Sequence, residues 1–208
     1  MAKKESTFLN MTVIMFVVAV IASAALAGVY VLTEEPIKTA KEKNLKDAIN
    51  VVVPGADKAT DINSFSKISL DLENADSLYF YIVKNEGKIL GTAVKTYTNN
   101  GFGGRIDIMV GFDENGKIID SDVLEHHETP GLGNKTAKSV TNWNEQFKNE
   151  SKNNPQEENF KVNKEGGNID AITAATISSR AYIDALKRAS DAYEKYIKNE
   201  KMEETNNE

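Results

Sequence analysis

Hydroxyl side chains crowd one short segment near the C-terminal end of the chain. Residues 166–180 have the sequence GGNIDAITAATISSR, with hydroxyls on Thr173, Thr176, Ser178 and Ser179. An amphipathic pattern typical of a helix follows. The free N–H groups and the positive dipole end of a helix N-terminus attract phosphate. The segment therefore predicts a site for a phosphate-bearing cofactor; helix capping by the same side chains, without any ligand, is the alternative.

The hydroxyl of Thr176 has no activating group beside it in this segment. An unactivated hydroxyl is a poor nucleophile at neutral pH, and nothing in the segment supplies a general base next to Thr176. A covalent group at this position would therefore need an external activating agent.

Both histidines of the chain stand beside a carboxylate in residues 126–133, HHETPGLG. Adjacent residues of a strand point to opposite faces, so His126 and His127 would rarely bind one ion. Thiolate ligands are excluded because the chain has no cysteine. We therefore predict no metal site. The TPGLG run is a rigid turn that could hold the polar edge of a planar ring, or that only reverses the chain.

A third segment, residues 99–104, has the sequence NNGFGG and precedes a strand that begins near Arg105. Glycine lets the backbone turn sharply or approach a flat ligand closely. The segment lacks the Lys and Ser/Thr of a nucleotide P-loop. Contact with a ligand and a plain connecting loop both remain open.

The elements that must position these segments predict an α+β fold with one antiparallel sheet. Alternating apolar residues and hairpin turns predict four strands, at 78–83, 88–97, 106–111 and 117–124. Helical spacing predicts a helix within 137–147 and a long amphipathic helix that begins near Ser178. Residues 57–74 are mixed and polar, and we assign no strand there.

An uncharged segment, residues 6–33, lies near the start of the chain. As a helix, the apolar part at 11–32 would span about 33 Å, enough for a bilayer core of roughly 30 Å. We favour a retained anchor over a buried core helix and over a signal peptide cleaved after Ala27, because the apolar run continues beyond that site. Lys3 and Lys4 indicate a cytoplasmic N-terminus, which places the main domain outside the cytoplasm.

The predicted organisation has five parts. They are a cytoplasmic N-terminus at 1–9, a transmembrane helix at 10–32, a membrane-proximal helix at 33–55, a cofactor-binding domain at 56–198 and a frayed polar tail at 199–208. Pro36 fits the first turn of the second helix, and Pro54 with Gly55 would end it. The net charge is −6 and no long basic face is present, so we predict no nucleic-acid partner.

The order of these segments behind one N-terminal span resembles the G subunit of the Rnf-type ion-translocating ferredoxin:NAD oxidoreductase. That family is related to the C subunit of the sodium-pumping NADH:quinone oxidoreductase. The matching motifs lie at 127–133, at 173–178, and at 101–104 followed by 108–112. In the family, the second Thr of a Ser/Thr-Gly-Ala-Ser/Thr motif carries FMN through a phosphoester bond formed by a separate flavin transferase. The resemblance gives that role to Thr176.

The candidate cofactor-binding residues are then Thr176 with Thr173, Ala174, Ala175, Ser178, Glu128, Thr129, Gly131, Leu132, Gly103 and Gly104. We assign no catalytic side chain, because the flavin ring supplies the redox chemistry. The chain departs from the family at Ala174, where the family has Gly. Alanine adopts a positive φ only at a cost.

The resemblance implies an electron-transfer subunit anchored in the inner cell membrane by a single span, rather than a complete enzyme. Its partners would be the other membrane subunits of an Rnf-type complex, with electron flow coupled to Na⁺ or H⁺ transport. Two alternatives remain: a stand-alone extracytoplasmic flavinylated electron-transfer protein, and an anchored binding module without a redox role.

Overall fold

The computed structural model describes residues 8–68, 76–148 and 154–198. Helix α1 (Phe8–Val52) comes first, five strands follow, and helix α2 (Thr176–Tyr193) lies near the end. The chain divides into two compact units, Met1–Asn44 and Leu45–Glu208. The predicted polar tail at 199–208 lies outside the described residues.

The first unit contains most of α1. The most apolar window of the helix has a mean hydropathy of 2.5, and α1 is long and apolar enough to cross a membrane. The helix continues through Pro36, so the prediction that a second helix begins there is wrong. Proline removes one backbone hydrogen bond and its ring crowds the preceding turn, but its fixed φ is helical, and α1 continues through it.

The second unit contains one antiparallel sheet with its strands in chain order. The strands are β1 (Asp61–Ile68), β2 (Ser77–Asn85), β3 (Lys88–Gly101), β4 (Gly104–Phe112) and β5 (Ile118–His126). The α+β class and the four predicted strands are confirmed. The sequence did not reveal β1, because this edge strand is mostly polar and exposed and lacks the apolar alternation of a half-buried strand.

Helix α2 packs on one face of the sheet. Its alanines and Leu186 are buried against apolar side chains of β3 and β4, including Val94, Ile108 and Val110. Tyr182 is fully buried, and its hydroxyl donates a hydrogen bond to Ser121 Oγ of β5 at 2.8 Å. Burial raises the pKa of Tyr182, which keeps this phenol a neutral donor. These contacts fix the position of α2 on the sheet.

The last turns of α1 pack on the opposite face of the sheet. Ile49 and Val52 are buried there against Ala93 and Met109. A Cβ atom on Gly111 of β4 would overlap the carbonyl oxygen of Val52. The close approach of helix and strand therefore requires glycine at position 111.

The helix predicted within 137–147 is not formed. Two short 3₁₀ helices, Gly133–Thr136 and Trp143–Lys148, occupy this region instead. Between them, Thr141 Oγ1 donates to the Lys135 carbonyl at 2.6 Å and accepts the Trp143 N–H at 3.3 Å. Such side-chain bonds compete with the backbone ladder of an α-helix, which explains why the apolar stripe did not become one.

Candidate functional site

A pocket of about 310 Å³ opens at the N-terminal end of α2. It is formed by the β3–β4 turn, by the segment that follows β5, and by the start of α2. Its lining residues are Phe102, Glu128, Thr129, Leu132, Gly133, Ala174, Ala175, Thr176, Ile177 and Ser178. The fold thus brings the three segments that the sequence singled out to one place.

Seven of the eleven candidate residues line this pocket: Glu128, Thr129, Leu132, Ala174, Ala175, Thr176 and Ser178. The other four, Thr173, Gly131, Gly103 and Gly104, are not among its lining residues. Sequence reasoning missed three lining residues, Phe102, Gly133 and Ile177; of these, the apolar side chains of Phe102 and Ile177 are 69% and 48% exposed. For Phe102, the signal in the sequence was a large apolar side chain in a glycine-rich turn.

Glu128 connects the three segments. Its side chain is buried, and Oε1 accepts the backbone N–H of Gly103 in the β3–β4 turn at 2.9 Å. Its other oxygen, Oε2, accepts the hydroxyl of Ser178 in the first turn of α2 at 2.5 Å. Hydrogen bonds to a carboxylate are short and strong. The Glu128 side chain therefore connects the β3–β4 turn, the segment after β5 and the first turn of α2.

Glycines provide the space in which this carboxylate lies. A Cβ atom on Gly101 would lie 2.6 Å from Glu128 Oε1, and one on Gly133 would overlap Oε2. A Cβ atom on Gly103 would overlap the carbonyl oxygen of His127. The glycines at these three positions are therefore required by close approach rather than by a positive φ.

The N-terminus of α2 has no side-chain cap. Its N-cap residue is Ala175, which makes no side-chain hydrogen bond to the helix. The first helical bond runs from the Ser179 N–H to the Ala175 carbonyl at 3.0 Å. The capping alternative is therefore not realised at the N-cap, and the N–H groups of Thr176, Ile177 and Ser178 have no backbone acceptor in the described chain.

The hydroxyls of this segment differ in what they bind. Ser178 donates to Glu128, while Ser179 Oγ accepts the Ile172 N–H at 3.0 Å and donates to the Ala175 carbonyl at 3.1 Å. Thr176 lines the pocket, and within the described residues its hydroxyl has no hydrogen-bond partner. Of the hydroxyls in this segment, the one on Thr176 therefore both lines the pocket and is free to carry a group.

The loop that leads into α2 is held at Asp170. The Asp170 carbonyl accepts the indole N–H of Trp143 at 2.6 Å, and the Asp170 N–H donates to Gln146 Oε1 at 2.9 Å. Asn163 Nδ2 donates to the Asp170 carboxylate at 2.5 Å. The sequence gave no sign that Trp143, within the helix predicted at 137–147, helps to position this loop.

Ala174 has a φ of +61°, in the left-handed region that disfavours every residue with a Cβ atom. This is the position at which the sequence departs from the family's glycine. The backbone of the loop thus has the conformation for which glycine is suited, although the side chain here is a methyl group.

We expect Ala174→Gly to stabilise the protein. Relief of the left-handed strain is worth about 1–2 kcal/mol, and the greater flexibility of glycine in the unfolded chain offsets about 0.4–1 kcal/mol of it. The net gain should be roughly 0.5–1 kcal/mol, seen as a rise of a few degrees in the unfolding temperature of the full chain in detergent. An unchanged or lower temperature would show that the positive φ at Ala174 carries no strain.

The two histidines do not form a metal cluster with their neighbours. His126 Nδ1 accepts the Glu128 N–H at 3.1 Å, whereas the side chain of His127 is exposed. Among the residues that the structure describes, no group of three or more His, Cys, Asp or Glu side chains is placed to hold a metal ion. The segment serves the pocket through Glu128 instead.

The class of domain follows from this fold and pocket. Residues 101–191 match the family described as FMN-binding domain. The matched region begins at the β3–β4 turn and ends within α2, so it contains every residue that lines the pocket.

The similarity to known proteins extends over most of the chain. The G subunit of the ion-translocating oxidoreductase complex of Aliivibrio fischeri strain ES114 is 32% identical over 190 residues, which cover 88% of this chain and 89% of that protein. The corresponding protein of Vibrio cholerae strain M66-2 is 32% identical over 178 residues, and that of Haemophilus influenzae strain PittEE is 31% identical over 173. The alignment with the Vibrio cholerae protein covers 85% of both chains. The alignment with the Haemophilus influenzae protein covers 83% of this chain and 84% of that protein. The chain belongs to the family of G subunits of ion-translocating oxidoreductase complexes, and the predicted family is confirmed.

Proposed function

We propose that this chain is the membrane-anchored electron-transfer subunit of an ion-translocating oxidoreductase complex, and that it carries one FMN bound covalently to Thr176. The observation that carries the proposal is the free hydroxyl of Thr176, which lies in the pocket at an uncapped helix N-terminus. The match to FMN-binding domains supplies the identity of the cofactor.

A phosphoester on Thr176 would place its phosphate at the first turn of α2. The N–H groups there lack backbone acceptors in the described chain, and the helix dipole favours negative charge by about 0.3–1 kcal/mol. Phe102, Leu132 and Ile177 offer apolar surface to a planar ring. When bound, FMN supplies the electron-carrying chemistry, and the protein contributes position and electrostatic environment.

A separate flavin transferase would make the bond, because the pocket has no base free to activate Thr176. Its carboxylate, Glu128, is already engaged by Gly103 and Ser178. Thr173 and Ile177 flank Thr176 and are exposed, so a transferase could reach the segment in the folded domain.

The apolar segment of α1 would anchor the subunit by a single span, with the N-terminus in the cytoplasm and the main domain outside it. Lys3 and Lys4 before the span support this orientation. The other membrane subunits of the complex would be its partners, since the relatives are named as subunits of such a complex.

Expression of the full chain with and without a flavin transferase tests this proposal. We expect yellow-green fluorescence in the protein band of a denaturing gel only when the transferase is present. A dark band beside an active transferase would refute the covalent flavin and favour a binding module without a redox role. Co-purification of further membrane subunits would separate the complex subunit from a stand-alone flavinylated protein.

A further inference from the structure

Glu128 is a buried carboxylate without a cationic partner. Only 5% of the residue is exposed, and in the described part of the chain no lysine or arginine forms an ion pair with it. Among the described residues, the other buried acid is Asp120, which is paired with both Lys138 and Lys148. Burying an unpaired charge is costly, and buried charges in proteins are normally paired or bound to a metal ion.

The hydrogen bonds of Glu128 do not explain why a charged side chain is present. Oε1 accepts one backbone N–H and Oε2 accepts one hydroxyl, whereas a carboxylate can accept about four hydrogen bonds. A neutral amide of the same shape could make both contacts, with its oxygen toward Gly103 and its nitrogen toward Ser178. The connection between the three segments therefore requires the shape of Glu128 but not its charge.

The charge lies in the wall of the pocket. Glu128 is a lining residue, and the glycines around it bring the backbone close without adding a compensating side chain. Near the pocket, interactions between charges are stronger than in water, because burial lowers the effective dielectric constant. A negative group fixed there opposes any increase in negative charge on a ligand beside it.

We propose that the carboxylate of Glu128 lowers the reduction potential of the flavin bound in this pocket. The inference depends on the flavin of the proposed function and goes beyond it, because it assigns a second role to a side chain that also holds the pocket together. Each electron added to the ring brings negative charge toward Glu128, and the unpaired carboxylate makes that step less favourable. Glu128 is thus a positioning and potential-setting residue rather than a catalytic one.

Glu128→Gln tests the charge while keeping the shape. In a potentiometric titration of the flavinylated full chain, we expect the equilibrium constant for one-electron reduction to rise at least tenfold, a shift of about 59 mV toward positive potential. Glu125→Gln is the matched control, because it removes the same charge from an exposed position near the end of β5. An equilibrium constant for one-electron reduction that stays within twofold of the wild-type value in Glu128→Gln would overturn the inference.

A second variant covers the case in which Glu128→Gln does not fold. Thr129 is exposed and lines the pocket next to Glu128, so Thr129→Lys brings a cation to the carboxylate without breaking either buried hydrogen bond. We expect Thr129→Lys to shift the potential further toward positive values than Thr129→Gln, which controls for the change in side-chain size without adding a charge. An unchanged potential in Thr129→Lys would contradict the inference. A dark gel band for the wild type would instead refute the proposed function, so the two failures are distinguishable.

Discussion

Replacing Thr176 by alanine is expected to remove all covalently bound flavin while the domain remains folded. Thr176 lines the pocket, its hydroxyl has no partner in the described structure, and alanine deletes only that hydroxyl and a methyl group. Alanine also favours a helix more than threonine does. The measurement is in-gel flavin fluorescence of the full chain expressed with the transferase, normalised to protein stain.

Two matched variants make this result specific. Thr173→Ala removes an exposed hydroxyl outside the pocket lining and should leave the fluorescence unchanged. Thr176→Ser keeps a hydroxyl at the attachment position and should keep a fluorescent band. Fluorescence that survived in Thr176→Ala and disappeared in Thr173→Ala would move the attachment to Thr173 and refute the assignment to Thr176.

Gly103→Ala is expected to have the second large effect, a loss of roughly 2–3 kcal/mol in the free energy of unfolding, within the range of about 1–3 kcal/mol that overpacking typically costs. The added Cβ atom would overlap the carbonyl oxygen of His127, a backbone atom that cannot turn aside. The shift would also displace the Gly103 N–H from Glu128 Oε1. Denaturant unfolding of the full chain in detergent gives the free energy, and gel fluorescence reports the pocket.

Gly131→Ala is the comparison for this prediction. Gly131 has a φ of +76°, but no atom lies within 4 Å of its added Cβ position. Alanine there meets only the left-handed strain, about 1–2 kcal/mol. We expect Gly103→Ala to be more destabilising than Gly131→Ala. The reverse order would mean that backbone conformation, rather than close approach, determines which glycines the pocket needs.

The sequence predicted those parts of the fold that depend on local pattern. Strands β2 to β5 were predicted from their apolar residues and the hairpin turns between them, and α2 shows the spacing of a helix packed on a sheet. Strand β1 was missed because an edge strand needs no apolar face. The continuity of α1 through Pro36 is visible only in the structure, because a proline can stand in the first turn of a helix or inside one.

At the site, the sequence showed which residues cluster but not which contacts they make. The segments around Thr176, Glu128 and Gly103 were identified because small residues and hydroxyls cluster there. The contact between Glu128 and Ser178 joins residues that are 50 positions apart, and no local pattern predicts it. The same holds for the contact of Trp143 with Asp170. Long-range hydrogen bonds of this kind follow from the packing of the sheet and α2, so they become visible only in the structure.

Peptide mass spectrometry tests the covalent attachment of FMN to Thr176 most directly. Trypsin should release residues 165–180 of the flavinylated chain as one peptide, which contains Thr173, Thr176, Ser178 and Ser179. We expect this peptide to carry the mass of one FMN less one water, and the fragment ions to place the addition on Thr176. An unmodified peptide from chain that was co-expressed with an active transferase, or an addition on another hydroxyl, would contradict the attachment.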